Sequence, residues 1–193
     1  MGGAIVGLTE EEAAEFRDLL SRRAIWDCLL RYCRGVDRFD RELVLSAYHP
    51  DAIDDHAEFV GGPEEFVAWA FALHEKGQIA TQHHLTNHRC EIDGDTAHAE
   101  TYYLFTARNR DESLWIAGGR YLDRLERRDG QWKIAFRYCL IEWSGSQPGL
   151  GTAYAEIADL HANGPLQRDR TDASYMRPLT NRRASRFPAP TAV

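Results

Sequence analysis

The sequence predicts an α+β fold in which a curved antiparallel sheet packs on a long N-terminal helix and two shorter helices. Apolar residues recur at helical spacing in the first part of the chain, and from residue 79 the periodicity becomes that of strands. Asp-Gly turns join these strand segments in pairs, as in β-hairpins. Helices at one end of such a sheet form an α+β layer arrangement, and a sheet that curls around the long helix can leave a pocket.

Start and stop signals predict the three helices. Thr9 and Glu12 form a capping box, and a long helix is expected from about Glu10 to about Val36. A shorter helical stretch, RELVLSAY, is closed by His49-Pro50, and PEEFVAWAFALHEKG has proline at its first helical position and glycine past its end. The apolar face of the long helix is predicted to comprise Phe16, Leu19, Leu20, Ala24, Cys28, Leu29 and Val36.

The strands follow from alternation and turn residues. DAIDDHAEFVGG predicts one short strand that ends in a Gly-Gly turn. IATQHHLTNHRCEI and TAHAETYYLFTAR are joined by Asp93-Gly94-Asp95, and SLWIAGGRYLDRLER and QWKIAFRYCLIEW are joined by Asp129-Gly130. These four segments predict a four-stranded antiparallel meander.

The last part of the chain differs in composition. Residues 1–145 are predicted to form the α+β domain and residues 146–193 a C-terminal extension, in which TAYAEIADLHANG predicts a short helix. The tail that follows has four prolines, and from Gly164 onward it carries six arginines against two aspartates. It is either a loosely ordered tail or an arm that packs on the acidic body or on a neighbouring subunit.

Composition and charge limit the classes of partner. A chain of 193 residues with 44% hydrophobic residues can bury a real core. Its formal charge of −7 argues against a nucleic acid or an anionic membrane as partner, because either requires a basic face. No secretion signal or apolar run of membrane-spanning length is present, so we expect a cytoplasmic protein that binds a small molecule. The four cysteines form no C-x-x-C pair and predict reduced, buried thiols.

Two segments carry polar groups where a core would favour apolar ones. In RYCRGVDRFD, Tyr32 and Asp37 project about 140° apart on a continuous helix, because each residue turns about 100°. They can still border one cavity if the helix ends or bends near Gly35. Asp37 is otherwise a surface residue at the C-terminal end of a helix, where a carboxylate opposes the helix dipole.

The second segment is TQHHLTNH, residues 81 to 88. In a regular strand His83, Leu85 and Asn87 share one face and His84, Thr86 and His88 share the other, so only one side of the cluster can be catalytic. A strand histidine can equally be a hydrogen-bonded structural residue. A shared metal site for His83 and His88 is disfavoured because their rings lie on opposite faces, and Asp54 with His56 is the other metal pair considered.

Three stretches together resemble a known group. LLRYCRGVDRFDRELVLSAYHPDA, TQHHLTNHRCEIDGDTAHAE and GGRYLDRLERRDGQWKIAFR resemble the signature stretches of the SnoaL-like branch of the nuclear transport factor 2-like superfamily, in matching order over residues 9 to 145. The resemblance implies a cone-shaped α+β fold. Such a fold hosts dehydratases, isomerases, cyclases, hydrolases and non-catalytic binders. In signature residues the chain is most similar to scytalone dehydratase, hexachlorocyclohexane dehydrochlorinase and bile-acid 7α-dehydratase.

The resemblance also implies a site. These lyases use a histidine oriented by an aspartate, and the matching residues are His83 and Asp37. Tyr32 matches a catalytic tyrosine of the bile-acid enzyme, and Arg137 matches an active-site arginine of the dehydrochlorinase. Asn87 shares the face of His83 as a polar helper. Residues expected to line a hydrophobic pocket are Ile141 and Trp143, which share the strand parity of Arg137 and Cys139, and Tyr102 and Leu104 if the face of Thr106 points inward.

The implied chemistry is a proton abstraction next to a carbonyl, followed by loss of a β-hydroxyl. Tyr32 or Arg137 would stabilise the developing enolate, and no metal or redox cofactor is called for. The predicted function is a cofactor-independent dehydratase that acts on a hydrophobic, steroid-like or polyketide-like hydroxylated carbonyl compound. The alternatives are a double-bond isomerase or cyclase with the same base, and a non-catalytic ligand-binding module. A homo-oligomer, either a dimer or a trimer, is expected from the resemblance.

Overall fold

The computed structural model describes residues 7–149, 151 and 156–186. No helix in this described part is long and apolar enough to cross a membrane. The helices are α1 (Glu10–Asp37), α2 (Arg41–Leu45) and α3 (Pro63–Gly77), and a single 3₁₀ turn spans Ala173–Tyr175. The strands are β1 (Tyr48–His56), β2 (Phe59–Gly61), β3 (Gln78–Asp93), β4 (Thr96–Asn109), β5 (Leu114–Arg128) and β6 (Gln131–Gln147).

Helix α1 begins at the predicted capping box. The hydroxyl oxygen of Thr9 accepts a hydrogen bond from the backbone N–H of Glu12 at 3.2 Å, and the Glu12 carboxylate accepts one from the backbone N–H of Thr9 at 2.8 Å. From Ile25 onward the inward face of the helix is buried in the core. The predicted apolar face is wrong in the first half of the helix, where three of its members are exposed: Phe16, Leu19 and Leu20.

Helix α1 ends where it meets α2. A Cβ atom on Gly35 would lie 2.6 Å from a side-chain carbon of Val44 and 2.7 Å from its backbone nitrogen, so the contact requires glycine. Two residues later the helix ends at Asp37, and Phe39 turns the chain with a left-handed φ of 52°. The end of α1 therefore presents Asp37 to β3, which its carboxylate contacts.

The six strands form one curved, unclosed sheet in the order β2-β1-β6-β5-β4-β3. The predicted α+β fold and the antiparallel meander from β3 to β6 are confirmed. Asp129 and Gly130, with φ of 51° and 76°, form the predicted two-residue turn between β5 and β6. Helices α1 and α3 pack on the concave side, where the core lies.

One edge of the sheet differs from the prediction. Instead of a single short strand, β1 and β2 form a hairpin that turns at Ala57-Glu58, and β1 runs parallel to β6. The short helix also ends at Leu45, and strand β1 begins at Tyr48, so that His49 and Pro50 belong to the strand. The sheet is therefore mixed, not wholly antiparallel. A parallel pair is joined by a long crossover, so no turn signal in the sequence announces it.

The C-terminal extension packs on the body of the protein. The Arg170 guanidinium lies 2.9 Å from a carboxylate oxygen of Asp40 and 2.7 Å from one of Glu42, and the Tyr175 hydroxyl donates to Asp40 at 2.9 Å. These contacts support the alternative of an arm that binds the acidic body. Residues 156–164 form consecutive turns in place of the predicted helix, and residues 152–155 of that prediction lie outside the described residues.

A buried ion pair joins α1 to the sheet. Arg137 on β6 is completely buried, and its guanidinium donates to both oxygens of Asp123 on β5 at 2.7 and 2.8 Å. The same guanidinium lies 4.1 Å from the ring centroids of Tyr32 on α1 and Tyr121 on β5. Two aromatic faces therefore enclose the cation, which adds cation–π attraction to the ion pair.

We predict that Arg137→Met lowers the free energy of unfolding by about 3–5 kcal/mol, because it leaves the Asp123 carboxylate buried without a cation. Urea denaturation measures the change. Arg128→Met is the matched control: its guanidinium binds Asp51 and Glu126, but its side chain is 40% exposed, so we expect a loss of less than about 1 kcal/mol. Equal losses in the two variants would contradict this account of the ion pair.

Candidate active site

The curled sheet encloses a cavity of about 400 Å³ against α1 and α3. Its size lies within the range of small-molecule sites. A larger depression, about 530 Å³, lies between Arg89, Glu100 and Arg124, and neither Asp37 nor His83 borders it. Most of the lining of the enclosed cavity is apolar or aromatic: Val36, Phe66, Trp69, Leu73, Tyr103, Phe105, Trp115 and Ile141.

Asp37 and His83 are in direct contact. One carboxylate oxygen of Asp37 lies 2.7 Å from Nδ1 of His83, and the other accepts the backbone N–H of His83 at 2.9 Å. Both side chains are largely buried, with 14% and 6% of their surface exposed. Because Asp37 accepts at Nδ1, the imidazole is held in the tautomer whose Nε2 is the proton acceptor, and His83 lines the cavity.

The electrostatics of this pair favour an ionised Asp37. Burial opposes ionisation of its carboxyl, but attraction to His83 and hydrogen bonds from His83 outweigh that effect, and the pKa of Asp37 is lowered. A carboxylate at the C-terminal end of a helix gains nothing from the helix dipole. Contact with the imidazole therefore accounts for an aspartate at this position.

Tyr32 borders the same cavity from α1, five residues before Asp37. Its ring centroid lies 6.3 Å from that of His83 and 5.9 Å from that of Phe66. Burial raises the pKa of the Tyr32 hydroxyl well above its usual value, so the group remains protonated and can donate a hydrogen bond. Helix α1 ends at Asp37, and the Asp37 carboxylate binds His83, which lines the cavity together with Tyr32.

Arg137 does not line the cavity. The side chain is completely buried and forms its ion pair with Asp123 beneath the rings of Tyr32 and Tyr121. The position of Arg137 therefore contradicts the expectation that its side chain contacts the substrate directly. The guanidinium lies 4.1 Å from the ring centroid of Tyr32, which does line the cavity.

A β-bulge in β3 changes the predicted alternation. Leu85 pairs with Tyr103 and His88 with Thr101, so three steps on β3 oppose two on β4. Asn87 is consequently exposed, and its predicted place beside His83 is wrong. His88 turns inward instead, and its Nδ1 lies 2.8 Å from the Thr101 hydroxyl.

A β-bulge in β6 changes the face of the sheet on which the Trp143 side chain lies. Gly118 pairs with Trp143, but the next residue, Gly119, pairs with Ile141, so Glu142 is the extra residue. Ile141 lines the cavity as predicted, whereas Trp143 is 52% exposed and lies against Gly118. The predicted pocket role of Trp143 is wrong for its position.

Side chains on β4 alternate regularly between the two faces of the sheet, but the face that carries Tyr102, Leu104 and Thr106 points away from the cavity. Tyr103 and Phe105 line the cavity, while Tyr102 lies outside with 39% of its surface exposed. The condition that the face of Thr106 points inward is therefore not met. Tyr102, Leu104 and Thr106 do not border the cavity.

Two further histidines line the cavity. His74 on α3 has its Nδ1 2.6 Å from the side-chain oxygen of Gln78, and burial lowers its pKa to about 4. His56 on β1 lies 3.3 Å from the carboxylate of Asp54, which is completely buried. From the sequence, Asp54 and His56 are expected only as a possible pair of metal ligands. Within the described residues, no group of three or more His, Cys, Asp and Glu side chains could hold a metal ion.

The sequence profile of the SnoaL-like domain matches residues 17–138, well over half of the chain. The chain belongs to the SnoaL-like domain family. This family lies within the nuclear transport factor 2-like superfamily. A comparison with curated proteins gave no match.

Solved structures share the SnoaL-like fold. A hexachlorocyclohexane dehydrochlorinase (LinA) Type2 superposes with a TM-score of 0.67 at 23% identity, over 73% of this chain and 98% of that one. The LinA-type3 dehydrochlorinase from Novosphingobium barchaimii gives 0.64 at 22%, over 72% and 98%. A scytalone dehydratase-like protein from Novosphingobium aromaticivorans gives 0.61 at 21%, over 70% and 97%. At these identities the likeness concerns the fold.

The SnoaL-like domain of this chain carries a local signal that could have revealed His56. Asp54 and His56 are two residues apart, so in a strand they share one face. A carboxylate beside an imidazole is the same pairing that links Asp37 to His83. His74 lacks such a signal, because its helix presents it to the cavity only after α3 packs on the sheet.

The pKa of His74 predicts an acid-dependent loss of stability. Its folded pKa, about 4, lies below the value of about 6.5 for an unfolded chain. The unfolded state binds the proton first, so the contribution of His74 to stability is present above about pH 6.5 and is lost as the pH falls toward 4. His74→Leu should reduce the slope of unfolding free energy against pH in this window. The exposed His84, changed to Leu, is the control, and an unchanged slope in His74→Leu would contradict the assignment.

Proposed function

We propose that this protein is a cofactor-independent lyase, a dehydratase that acts on a hydrophobic hydroxylated carbonyl compound. The observation that carries the proposal is the Asp37–His83 pair, whose imidazole borders an apolar cavity of about 400 Å³. A histidine held in one tautomer by a carboxylate is suited to removing a proton. Related folds among dehydrochlorinases and a scytalone dehydratase-like protein support an elimination reaction.

The first step is removal of a proton from the carbon next to the carbonyl. Nε2 of His83 accepts this proton, and the ring becomes an imidazolium. The Asp37 carboxylate, 2.7 Å from Nδ1, stabilises that positive charge. Because the carboxylate also accepts the backbone N–H of His83, the ring and its strand are held together while charge develops.

Tyr32 provides the complementary donor. Removal of the proton places negative charge on the carbonyl oxygen, and the protonated Tyr32 hydroxyl can donate to it. The ring of Tyr32 lies over the Arg137 guanidinium at 4.1 Å, which fixes its orientation. The C–O bond at the β-carbon then breaks, its electron pair leaves with oxygen, and a proton added to that oxygen gives water and a carbon–carbon double bond.

The substrate class follows from the walls of the cavity. Phe66, Trp69, Phe105 and Trp115 offer flat apolar surfaces, and polar side chains such as His56, His74 and His83 lie among them. A polycyclic substrate, steroid-like or polyketide-like, would bury most of its surface against these rings.

Three alternative functions compete with that of a dehydratase. A double-bond isomerase would use the same base and return the proton to another carbon, and deuterium from solvent would then enter the product without loss of water. A cyclase would form a new ring bond from the same enolate. A non-catalytic binder would retain a screened ligand unchanged, without deuterium exchange.

We predict that Asp37→Asn and His83→Gln each lower kcat/KM for dehydration by roughly 10²–10⁴-fold, the range for a general base. The assay is a panel of steroid-like and polyketide-like β-hydroxy carbonyl compounds, followed by absorbance of the conjugated product. His84→Gln is the matched control, because His84 is the next residue on β3 and its side chain is exposed. Urea denaturation verifies that each variant folds. Full activity in both variants would refute the dyad.

We further propose that the protein is a homo-oligomer, a dimer or a trimer. Large apolar side chains emerge together from the outer face of the sheet, which is typical of an interaction surface. They are 38–52% exposed and comprise Tyr102, Phe136, Tyr138 and Trp143.

Phe136→Glu combined with Tyr138→Glu should convert a dimer or trimer to a monomer, because it places two carboxylates in an apolar contact. Sedimentation equilibrium measures the mass. Lys76→Glu, an exposed change on α3, is the control and should retain the oligomer. A monomeric wild-type protein would overturn the proposal.

A further inference from the structure

The histidine of a second aspartate–histidine pair, His56 with Asp54, lines the same cavity as His83. His83 lies on β3 and His56 on β1, and three strands separate β1 from β3 in the sheet. The curl of the sheet brings both rings to the same cavity. His56 packs on Phe66 and Tyr121 with centroid distances of 5.4 and 6.2 Å. Tyr32 contacts both of these rings as well as His83, so it lies between the two imidazoles.

The surroundings of Asp54 favour a charged His56. Asp54 is completely buried, and one of its oxygens accepts a hydrogen bond from the Tyr48 hydroxyl. Its other oxygen lies 3.3 Å from Nδ1 of His56, and neither of these two atoms completes a hydrogen bond within the described residues. Arg137 on the adjoining strand already binds both oxygens of Asp123. A buried carboxylate is stabilised by a cation, and among the residues that the structure describes the imidazolium of His56 is the one within ion-pair distance of Asp54.

Other ionisable groups face this pair from each packed element. They are Tyr32 from α1, Tyr121 from β5, Cys139 and Arg137 from β6, and Glu58 at the turn after β1. Helix α3 contributes the rings of Phe66 and Trp69. Burial opposes protonation of His56, but the nearby Asp54 carboxylate and the Cys139 side chain outweigh it and raise the pKa of His56 to about 9.

We propose that His56, held by Asp54, is the general acid that protonates the departing hydroxyl group. This inference rests on the elimination proposed above. His83 takes the proton from the carbon next to the carbonyl, the C–O bond at the β-carbon breaks, and its electron pair leaves with oxygen. His56 gives its proton to that oxygen, so the products are an unsaturated carbonyl compound and water. Transfer of the proton from His83 to solvent and from solvent to His56 restores the enzyme.

The assignment specifies the class of leaving group. A hydroxyl group leaves poorly as hydroxide and needs a proton, whereas a chloride leaves as an anion and needs none. A cationic acid opposite the base therefore suits loss of water better than loss of halide. The site is assigned to β-hydroxy carbonyl substrates.

The experiment compares two leaving groups in one polycyclic ketone, a β-hydroxy compound and its β-chloro analogue. His56→Gln should lower the rate of water loss by roughly 10²–10⁴-fold, and it should change the rate of chloride loss by less than about tenfold. His83→Gln should lower both rates, because both reactions begin with the same proton abstraction. His84→Gln should change neither rate.

A pH profile gives an independent readout. The rate of water loss should decline as the pH rises through about 9, where His56 loses its proton. The pH profile of chloride loss should lack this alkaline limb. Asp54→Asn retains the ring but removes the carboxylate, so the limb should move to lower pH. Histidine resonances in NMR titrations measure the same change without a substrate.

The outcomes separate the two proposals. A wild-type protein that eliminates neither compound overturns the proposed function and this inference with it. A wild-type protein that eliminates water, with His56→Gln unchanged in rate, overturns the role of His56 alone. A variant that loses both reactions equally shows that His56 supports the cavity and does not act as the acid.

Discussion

The arrangement of the site depends on one buried cation. Arg137 lies 4.1 Å from the ring centroids of both Tyr32 and Tyr121 and binds both oxygens of Asp123, so it ties helix α1 to strands β5 and β6. A guanidinium offers flat faces to rings and a planar edge to a carboxylate, and here it uses both. The floor of the cavity is consequently rigid, and Tyr32 has a fixed position relative to both histidine pairs.

Three cavity histidines occupy three electrostatic environments. His83 has a carboxylate on one nitrogen, His56 has a completely buried carboxylate at ion-pair distance, and His74 has a neutral amide oxygen. Burial lowers the pKa of His74 to about 4, while the Asp54 carboxylate and Cys139 raise that of His56 to about 9 against the same effect. Environments that drive pKa values apart are typical of paired acid and base groups. His74 and His56 therefore differ in protonation although they are the same residue type and line the same cavity.

Part of the site could be predicted because local patterns and family signatures were sufficient. His83 lies in a strand, and Asp37, which it contacts, is the last residue of a helix. The family signature stretches contain both residues, so both could be located from the sequence. Arg137, Asn87 and Trp143 were misplaced for physical reasons. One extra residue in β3 and one in β6 reverse the faces that follow, and an ion pair with Asp123 holds Arg137 away from the cavity.

The three helices and the meander from β3 to β6 could be predicted from the sequence alone, whereas the β1–β2 hairpin and the turns over residues 156–164 could not. The capping box of Thr9, the proline at residue 63 and the Asp129-Gly130 turn act over a few residues, so their effects can be read locally. Only the tertiary structure decided which side chains share the cavity. The packing of α3 on the sheet decides which of its side chains line the cavity. The curl of the sheet brings residues of β1 and β3 to that same cavity. Contacts between distant strands leave no local pattern, which is why the shared cavity of His56 and His83 emerged only when the sheet was folded.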